Sequence, residues 1–227
     1  QGYIRIPKIQ RDYAQGRESK DVNEIRKSFV HTLMLVVKGK KSSAELDFIY
    51  GSTRNDAFEP LDGQQRLTTL FLLHWMMGVS LISSQNNSKS KFTYETRNTS
   101  AEFCDELVHH HAEMFIGEAR SKGRKVSDII KARDWFKWEW KFDPTISSML
   151  VMIDSIYKEL DEDWTDHAEE YRANLNNITF NRLNLGEFGL SDELFIKMNA
   201  RGKLLSDFDK LKATLEEELQ IQQKELG

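Results

Sequence analysis

The residues best suited to chemistry form the run DGQQRLTT at 62–69, immediately before the apolar stretch LFLLHWMM. A helix that begins here presents the backbone N–H groups of its first turn at its positive end, and such an end binds anions. Gly63 lets a phosphate approach the backbone because it has no Cβ, and Arg66 can bind phosphate oxygens with both arms of its guanidinium group. The run therefore predicts a phosphate site.

The other residues of the run supply further ligands. Gln64 and Gln65 contribute first-turn amides, and Thr68 and Thr69 add hydroxyl donors one turn into the helix. Asp62 can hold Mg²⁺ through water or orient an attacking water. The alternative interpretation is structural, with Asp62 capping the helix and both threonines bonding back to the preceding turn. Spacing alone leaves both interpretations open.

The elements that must position this turn are a strand before it and a helix after it. Aromatic and β-branched residues bounded by Pro, Gly and Asn predict strands at 3–7, 46–52 and 57–61. The helix from Gln64 is apolar on all sides, so we expect it to be buried all round. Another helix is predicted between the first two strands. Its buried face is expected to carry Val22, Ile25, Phe29 and Leu33.

The remainder of the chain has mainly helical periodicity. The polar stretch 83–91 predicts an exposed loop because it offers nothing to a core. Helical patterns follow at about 101–117, 127–141 and 147–160, a strand or two at 178–188, and further helices from Ser191 and Ser206. The predicted fold class is α+β, with a small mixed sheet and a larger, mainly helical region.

Composition narrows the class of protein. The 227 residues are 30% charged and 39% hydrophobic, and no apolar run approaches the ~20 residues of a membrane span. Nothing at the start indicates secretion, so a cytoplasmic location is expected. The single cysteine, Cys104, excludes an internal disulfide and a multi-cysteine zinc site. The chain starts at Gln1 without methionine and ends within a helical pattern, which suggests a piece of a longer protein.

The charges are unevenly distributed along the chain. The formal net charge of −4 does not indicate nucleic-acid binding. Residues 1–41 nevertheless carry ten Lys/Arg against four Asp/Glu, and residues 119–141 carry eight against three. Residues 154–170 carry eight acids and one base. A polyanion could bind the basic segments, although charge runs are more often solvated faces.

Two further clusters invite a functional interpretation. His109, His110 and His111 point about 100° apart on a helix, so they cannot converge on one ion, and a half-exposed face is the simpler interpretation. The aromatic and basic residues of 135–141 form a mixture that stacks bases, although aromatics at this spacing more often belong to a core. The chain contains neither a P-loop pattern nor a His-Asn-His nuclease signature.

Three ordered motifs give the sequence a family resemblance. IPKIQRDY at 6–13, DGQQRLTTL at 62–70 and LFIKMNARGKLLSDFDKLKA at 194–213 resemble the N-terminal domain of the GmrSD family of modification-dependent restriction systems, also known as DUF262. The resemblance implies a fold related to ParB and sulfiredoxin. Matched by position, the family's motif residues are Asp62, Gly63, Gln64, Gln65 and Arg66, the pair Gln10 and Arg11, and the third group Asn199, Arg201 and Gly202.

The resemblance also implies a function. It implies a phage-defence domain that binds a nucleoside triphosphate with Mg²⁺ and hydrolyses it, senses DNA that carries a modification, and regulates a separate nuclease domain. Asp62 and Arg66 are the expected catalytic residues, with Asp62 as the metal ligand. We expect a nucleotide-binding region at 1–82 and a helical region at 83–227 that returns the third motif to the turn.

Other functions are compatible with the same motifs. One is a non-catalytic module that reads DNA or binds a partner, with the same turn holding a DNA phosphate. Another is a defence component in which the motif is only a helix cap. The sequence leaves open the nucleotide, the DNA modification and whether the domain forms a homo-oligomer.

Overall fold

A mixed β-sheet and a set of helices make up the part of the chain described by the computed structural model, which comprises residues 3–7, 20–84 and 88–184. The first elements are β1 (Tyr3–Ile6), α1 (Lys20–Val37), β2 (Ala44–Arg54), β3 (Ala57–Pro60), α2 (Gln64–Met76) and β4 (Phe92–Tyr94). They are followed by α3 (Asn98–Leu107), α4 (Ala112–Lys122), α5 (Val126–Lys131), α6 (Pro144–Lys158), α7 (Ala168–Asn174) and β5 (Ile178–Asn184). Short 3₁₀ helices cover Trp138–Phe142 and Leu175–Asn177. The predicted α+β class is confirmed.

The sheet places the strand before the motif at its centre. Its order is β4-β1-β3-β2-β5. β1 runs parallel to β3 and to β4, while β2 pairs antiparallel with β3 and parallel with β5. Because β3 is flanked on both sides, the chain that leaves it at Pro60 starts from a fixed position.

β2 contains an irregularity that positions Arg66 of the motif. The pairing of β2 with β5 shifts register between Glu45 and Phe48. Asp47, inside this shift, has a φ of 60°, which is the left-handed region. Such a bulge bends the strand and takes backbone groups out of the regular ladder.

The helices supply most of the buried apolar side chains. In α2 all residues from Leu67 to Leu73 are buried, as are Trp75 and Met76, so the prediction that this helix is buried all round is confirmed. The fully buried apolar residues include Val36 and Val37 at the end of α1. The sheet and these helices therefore share one hydrophobic core.

The predicted buried face of α1 was wrong at one position. Leu33 is buried, but Ile25 is 62% exposed, and its neighbour Arg26 is buried instead. The reason is a polar contact that periodicity does not reveal. The Arg26 side chain donates to the Ser155 hydroxyl of α6 at 3.0 Å and to the Asn23 side chain. Burying a hydrogen-bonded guanidinium turns the helix and leaves Ile25 in solvent.

Two helices predicted as continuous are interrupted. The helix predicted at 101–117 is divided into α3 and α4 around His110. The His110 carbonyl accepts a hydrogen bond from Trp75 Nε1 at 2.9 Å, and the His110 ring stacks on Trp135 with centroids 4.6 Å apart. The helix predicted at 127–141 is α5 followed by the 3₁₀ helix, because Trp140 is buried edge-on against Phe103. Tertiary contacts overrode local periodicity in both places.

Beyond the polar stretch, the sequence patterns predicted α6 and β5 but predicted neither β4 nor the short helix α7. β4, directly after the polar stretch, is a three-residue strand whose Phe92 pairs with Ile4 of β1. The helix predicted at 147–160 is α6, and the strand expected within 178–188 is β5. The helices predicted from Ser191 and Ser206 lie outside the described residues.

The described residues fall in one compact unit, which spans Gln1–Leu185. The sheet in this unit takes β4 and β5 from beyond residue 82. The proposed division of the chain into 1–82 and 83–227 remains a prediction.

Candidate functional site

The turn between β3 and α2 is built around Gly63. The amides of Leu61 and Asp62 both donate to the Tyr50 carbonyl of β2, at 2.7 and 3.2 Å, which folds the chain back over the sheet. Gly63 has a φ of 82°. A Cβ at this position would lie 2.8 Å from Cγ1 of Ile49. Both the left-handed backbone and the packing against Ile49 therefore require glycine.

The N-terminus of α2 has no side-chain cap from its own N-cap residue, because that residue is Gly63. The first turn contains no acidic side chain. Gln64 reaches back with its side-chain amide to the Pro60 carbonyl at 2.9 Å, which fixes the start of the helix to the end of β3. The positive end of the helix is thus anchored beside the centre of the sheet and lacks an acid of its own.

Arg66 connects the helix to the bulge of β2. Its guanidinium donates to the carbonyl of Leu46 and, at 2.9 Å, to the carbonyl of Phe48. These two carbonyls flank Asp47, the residue with the left-handed backbone. The same guanidinium lies 3.4 Å from a carboxylate oxygen of Asp62. Arg66 therefore stabilises the bulge, and its binding of phosphate remains a prediction.

Asp62 is the exposed member of the site. Its side chain is 53% exposed and has the Arg66 guanidinium as its ion-pair partner. It precedes the N-cap residue, so it does not cap α2. Across the described ranges, no group of three His, Cys, Asp or Glu side chains is arranged to hold a metal ion. If the other ligands come from outside the described residues' own side chains, water and nucleotide oxygens are suited to Mg²⁺, and binding of Mg²⁺ by Asp62 remains a prediction.

The two threonines lie inside the protein. Thr68 donates its hydroxyl to the Gln64 carbonyl at 2.9 Å, and Thr69 donates to the Gln65 carbonyl at 3.1 Å. Both side chains are buried. The Thr68 hydroxyl also lies 3.3 Å from the hydroxyl of Tyr94 on β4. This arrangement is the structural alternative that the sequence allowed, and phosphate contacts by these hydroxyls remain a prediction.

The remaining predicted site residues cannot be placed relative to the turn. They lie outside the residues that the structure describes and are Gln10, Arg11, Asn199, Arg201 and Gly202.

One charged residue beside the turn was missed by the sequence reading. Glu59 of β3 is buried, although it belongs to a strand whose other residues are apolar. Its carboxylate lies 3.3 Å from the Arg5 guanidinium of β1 and 3.8 Å from that of Arg54 in β2. The signal was available, because an acid inside a buried strand must be paired. Glu59 joins three adjacent strands next to the motif.

The aromatic and basic stretch at 135–141 is divided between core and surface. Phe136 and Trp140 are buried, whereas Trp138 and the nearby Phe142 are exposed and pack edge to face with centroids 4.6 Å apart. Lys137 is paired with Glu102 at 2.6 Å. The core interpretation is therefore correct for two of these aromatics. In the part of the chain that the structure describes, no helix is long and apolar enough to cross a membrane.

Fold and turn together define an α+β domain in which a glycine-capped buried helix follows the central strand of a mixed sheet. The family model described as "GmrSD restriction endonuclease, N-terminal domain" matches residues 1–216. The chain therefore belongs to this family. Comparison with curated proteins and with solved structures gives no match.

Proposed function

We propose that this domain binds a nucleoside triphosphate with Mg²⁺ at the turn around Gly63, hydrolyses it, and thereby regulates a separate nuclease domain of a restriction system that acts on modified DNA. One observation carries the proposal. The N-terminus of the buried helix α2 is fixed directly after the central strand and has a glycine cap and no acid in its first turn. Membership of the GmrSD N-terminal family supports it.

The proposed chemistry assigns a role to each residue of the turn. The phosphates lie against the first turn of α2, where the helix dipole favours negative charge. Arg66 adds a positive charge whose position is fixed by the carbonyls of Leu46 and Phe48, so no reorganisation is needed when charge develops on the phosphates. Asp62, which is exposed, holds Mg²⁺ through water or orients the attacking water.

The test measures both binding and turnover. Binding of each of the four ribonucleoside triphosphates with Mg²⁺, and phosphate release from them, are compared for the intact chain and for Asp62→Asn. We expect at least one nucleotide to bind, and we expect turnover to fall by about 10²-fold or more in the variant, since a positioned catalytic group contributes on this scale. Arg54→Gln, which removes an exposed charge from the neighbouring strand, is the matched control and should retain turnover.

Two results would overturn the proposal. The first is an intact chain that binds none of the four nucleotides. The second is an Asp62→Asn variant with unchanged binding and turnover. Addition of plain and modified DNA tests the regulatory part, because a sensor changes its rate of hydrolysis when its DNA is present.

A specific observation favours a second candidate function. The arms of Arg66 are already engaged by carbonyl groups, as expected for a residue that builds a binding surface without taking part in a reaction. In this alternative the turn holds a DNA phosphate and no nucleotide is hydrolysed. Salt-dependent DNA binding that is lost in Arg66→Met, with no effect of any triphosphate, would support it.

A further inference from the structure

The two basic segments of the sequence meet at one cleft, away from the DGQQR turn. The cleft lies between α1, α5 and α6 and consists of two adjoining cavities of about 390 and 340 Å³. Both cavities are lined by Arg26 and Lys27 of α1 and by Lys158 of α6. The second is also lined by Lys125 and Lys131, from the other basic segment. Helix packing thus combines charges that lie about 100 residues apart in sequence.

The lysines of this cleft are available for a ligand. The exposed lysines of the cleft are Lys27, Lys125, Lys131 and Lys158. Among the residues that the structure describes, none of these four side chains has an acidic partner within 4 Å. By contrast, Lys38, Lys122 and Lys137 elsewhere on the surface all have acidic partners. A group of unpaired cations raises the local concentration of anions.

The acids of the cleft do not cancel this charge. Among the residues that the structure describes, the lining contains five Lys/Arg side chains against Asp128, Asp154 and Glu159. Glu159 is already paired with His31 at 3.0 Å. Asp154 is buried and accepts hydrogen bonds from the backbone and the hydroxyl of Ser127, at 2.9 and 2.6 Å. The solvent-facing part of the cleft is therefore dominated by lysine.

The floor of the cleft is rigid. Arg26 is 7% exposed and is hydrogen-bonded to Ser155 and Asn23, so the two long helices are fixed side by side. α5 is fixed to α6 by the bonds between Ser127 and Asp154. Because the helices that carry the lysines are held in place, binding of a ligand costs little backbone conformational entropy.

The length of the cleft indicates an extended anion. Its lining on α1 runs from Asn23 to His31, nine residues whose ends lie about 12 Å apart along the helix axis. Phosphates on one strand of duplex DNA recur about every 3.4 Å along the axis. A cleft of this length can therefore face more than one phosphate of a strand, whereas a single inorganic anion would contact only part of it.

We propose that the cleft between α1, α5 and α6 binds the phosphodiester backbone of double-stranded DNA without reading its sequence. This inference rests on the proposed function, in which DNA is a partner of the domain, and it assigns that partner to residues other than the DGQQR turn. Lysines supply positioning contacts to phosphate oxygens, while base recognition needs other groups. The cleft would hold DNA on the domain while nucleotide occupies the turn.

The experiment measures binding of a 20-base-pair duplex by fluorescence anisotropy at several salt concentrations. The double variant Lys27→Gln with Lys131→Gln should bind about tenfold more weakly at low salt, and its slope of log K against log[salt] should be smaller by about two. The matched control is Lys40→Gln with Lys89→Gln, which removes two exposed lysines outside the cleft. It should retain the affinity and slope of the parent chain.

The outcomes separate this inference from the proposed function. An unchanged affinity and slope in the double variant would overturn the cleft assignment, even where nucleotide binds normally at the turn. A parent chain that binds no duplex would overturn both the cleft and the DNA part of the proposed function. Nucleotide binding is measured separately with Asp62→Asn. A triphosphate that displaces the duplex equally well from the parent chain and from Asp62→Asn would act at the cleft and not at the turn. This result would assign the cleft to a small anion and would also overturn the inference.

Discussion

The DGQQR turn and the lysine cleft use their charged residues in opposite ways. At the turn, Arg66 donates to two carbonyls of β2 and lies beside Asp62. In the cleft, Lys27 and Lys131 have no acidic partner in the described part of the molecule. The motif that is most distinctive in sequence is thus bound into the fold, whereas the charge runs that looked like plain solvated faces form an open surface.

The type of a residue therefore does not determine whether its side chain is available to a ligand. A motif can be distinctive because its geometry is demanding, as Gly63 shows, and its residues then support the fold as well as any ligand. Scattered lysines carry no motif, yet packing of α1 and α5 on α6 places them together. This contrast can be tested by substitutions at Gly63, Arg66, Asp154 and Asp62, whose expected effects on stability decrease in that order.

The largest effect is expected at Gly63. Gly63→Ala should lower the free energy of unfolding by about 2–4 kcal/mol, because alanine adds left-handed strain and a Cβ 2.8 Å from Ile49 Cγ1. Urea denaturation followed by tryptophan fluorescence measures it. Gly78→Ala is the control, since its φ is +73° but its Cβ would meet nothing within 4 Å, and it should cost about 1 kcal/mol. Equal losses in the two variants would show that Ile49 moves aside and that packing does not require Gly63.

The next effect is expected at Arg66. Arg66→Lys keeps the charge but cannot reach both carbonyls, so the free energy of unfolding should fall by about 1–3 kcal/mol. The control is Arg54→Lys, because Arg54 of β2 is 71% exposed. This substitution should change the free energy of unfolding by less than about 0.5 kcal/mol. Thermal unfolding compares the two. An unchanged Tm in Arg66→Lys would mean that the guanidinium does not stabilise the bulge of β2. The charged residues of the turn would then not differ from those of the cleft in supporting the fold.

A smaller, pH-dependent effect is expected at Asp154 in the cleft. Burial raises the pKa of Asp154 above its usual value of 3.8, so the folded state favours the protonated carboxyl. The protonated carboxyl therefore contributes to the stability of the folded state. This contribution is fully present below the pKa that Asp154 has in the unfolded chain, and it is lost as the pH rises through the pKa of the folded state. Asp154→Asn imitates the protonated group. It should therefore stabilise the protein at pH 7 and have little effect below about pH 4.

The control for this prediction lies in the same cleft. Asp128→Asn removes a charge from a carboxylate that is only partly buried, so it should strengthen DNA binding without raising stability. Thermal unfolding at the two pH values, together with anisotropy, distinguishes the two variants. A destabilised Asp154→Asn at pH 7 would show that the bonds from Ser127 require the ionised carboxylate.

The smallest effect on stability is expected at Asp62. Its ion pair with Arg66 is 3.4 Å long and more than half exposed on the Asp62 side, so Asp62→Asn should change the free energy of unfolding by less than about 0.5 kcal/mol. Chemical denaturation checks it. The same variant should lower turnover by about 10²-fold or more under the proposed function. A loss of several kcal/mol would instead make Asp62 a structural residue like Arg66.

Much of the fold was predictable because the hydrophobic pattern of the sequence agrees with the burial of the side chains in the structure. The strands β1, β2 and β3 and the helices α2 and α6 have periodicities that the structure confirms. β4 escaped prediction because three residues carry no period, and it exists through pairing with β1. The break at His110 likewise depends on Trp75 and Trp135, which are distant in sequence.

The candidate site was predictable in its residue types and less so in its contacts. The helix start at Gln64 and the need for Gly63 follow from the residues themselves. The partners of Arg66 come from a bulge some 20 residues earlier, and no periodicity announces a bulge. The cleft shows the same limit, since the charge runs are visible in sequence but their meeting depends on helix packing.

The parallel pairing of β5 with β2 has a consequence for biosynthesis. Ala44 pairs with Ile178, so the partner of β2 leaves the ribosome roughly 130 residues later, on the order of ten seconds at ordinary synthesis rates. Until then one side of β2 has unpaired backbone groups that can recruit another chain. Nascent chains halted before residue 178 should therefore associate through the unpaired side of β2. In chains that have completed β5 this side is covered, and β5 becomes the outer strand of the described sheet.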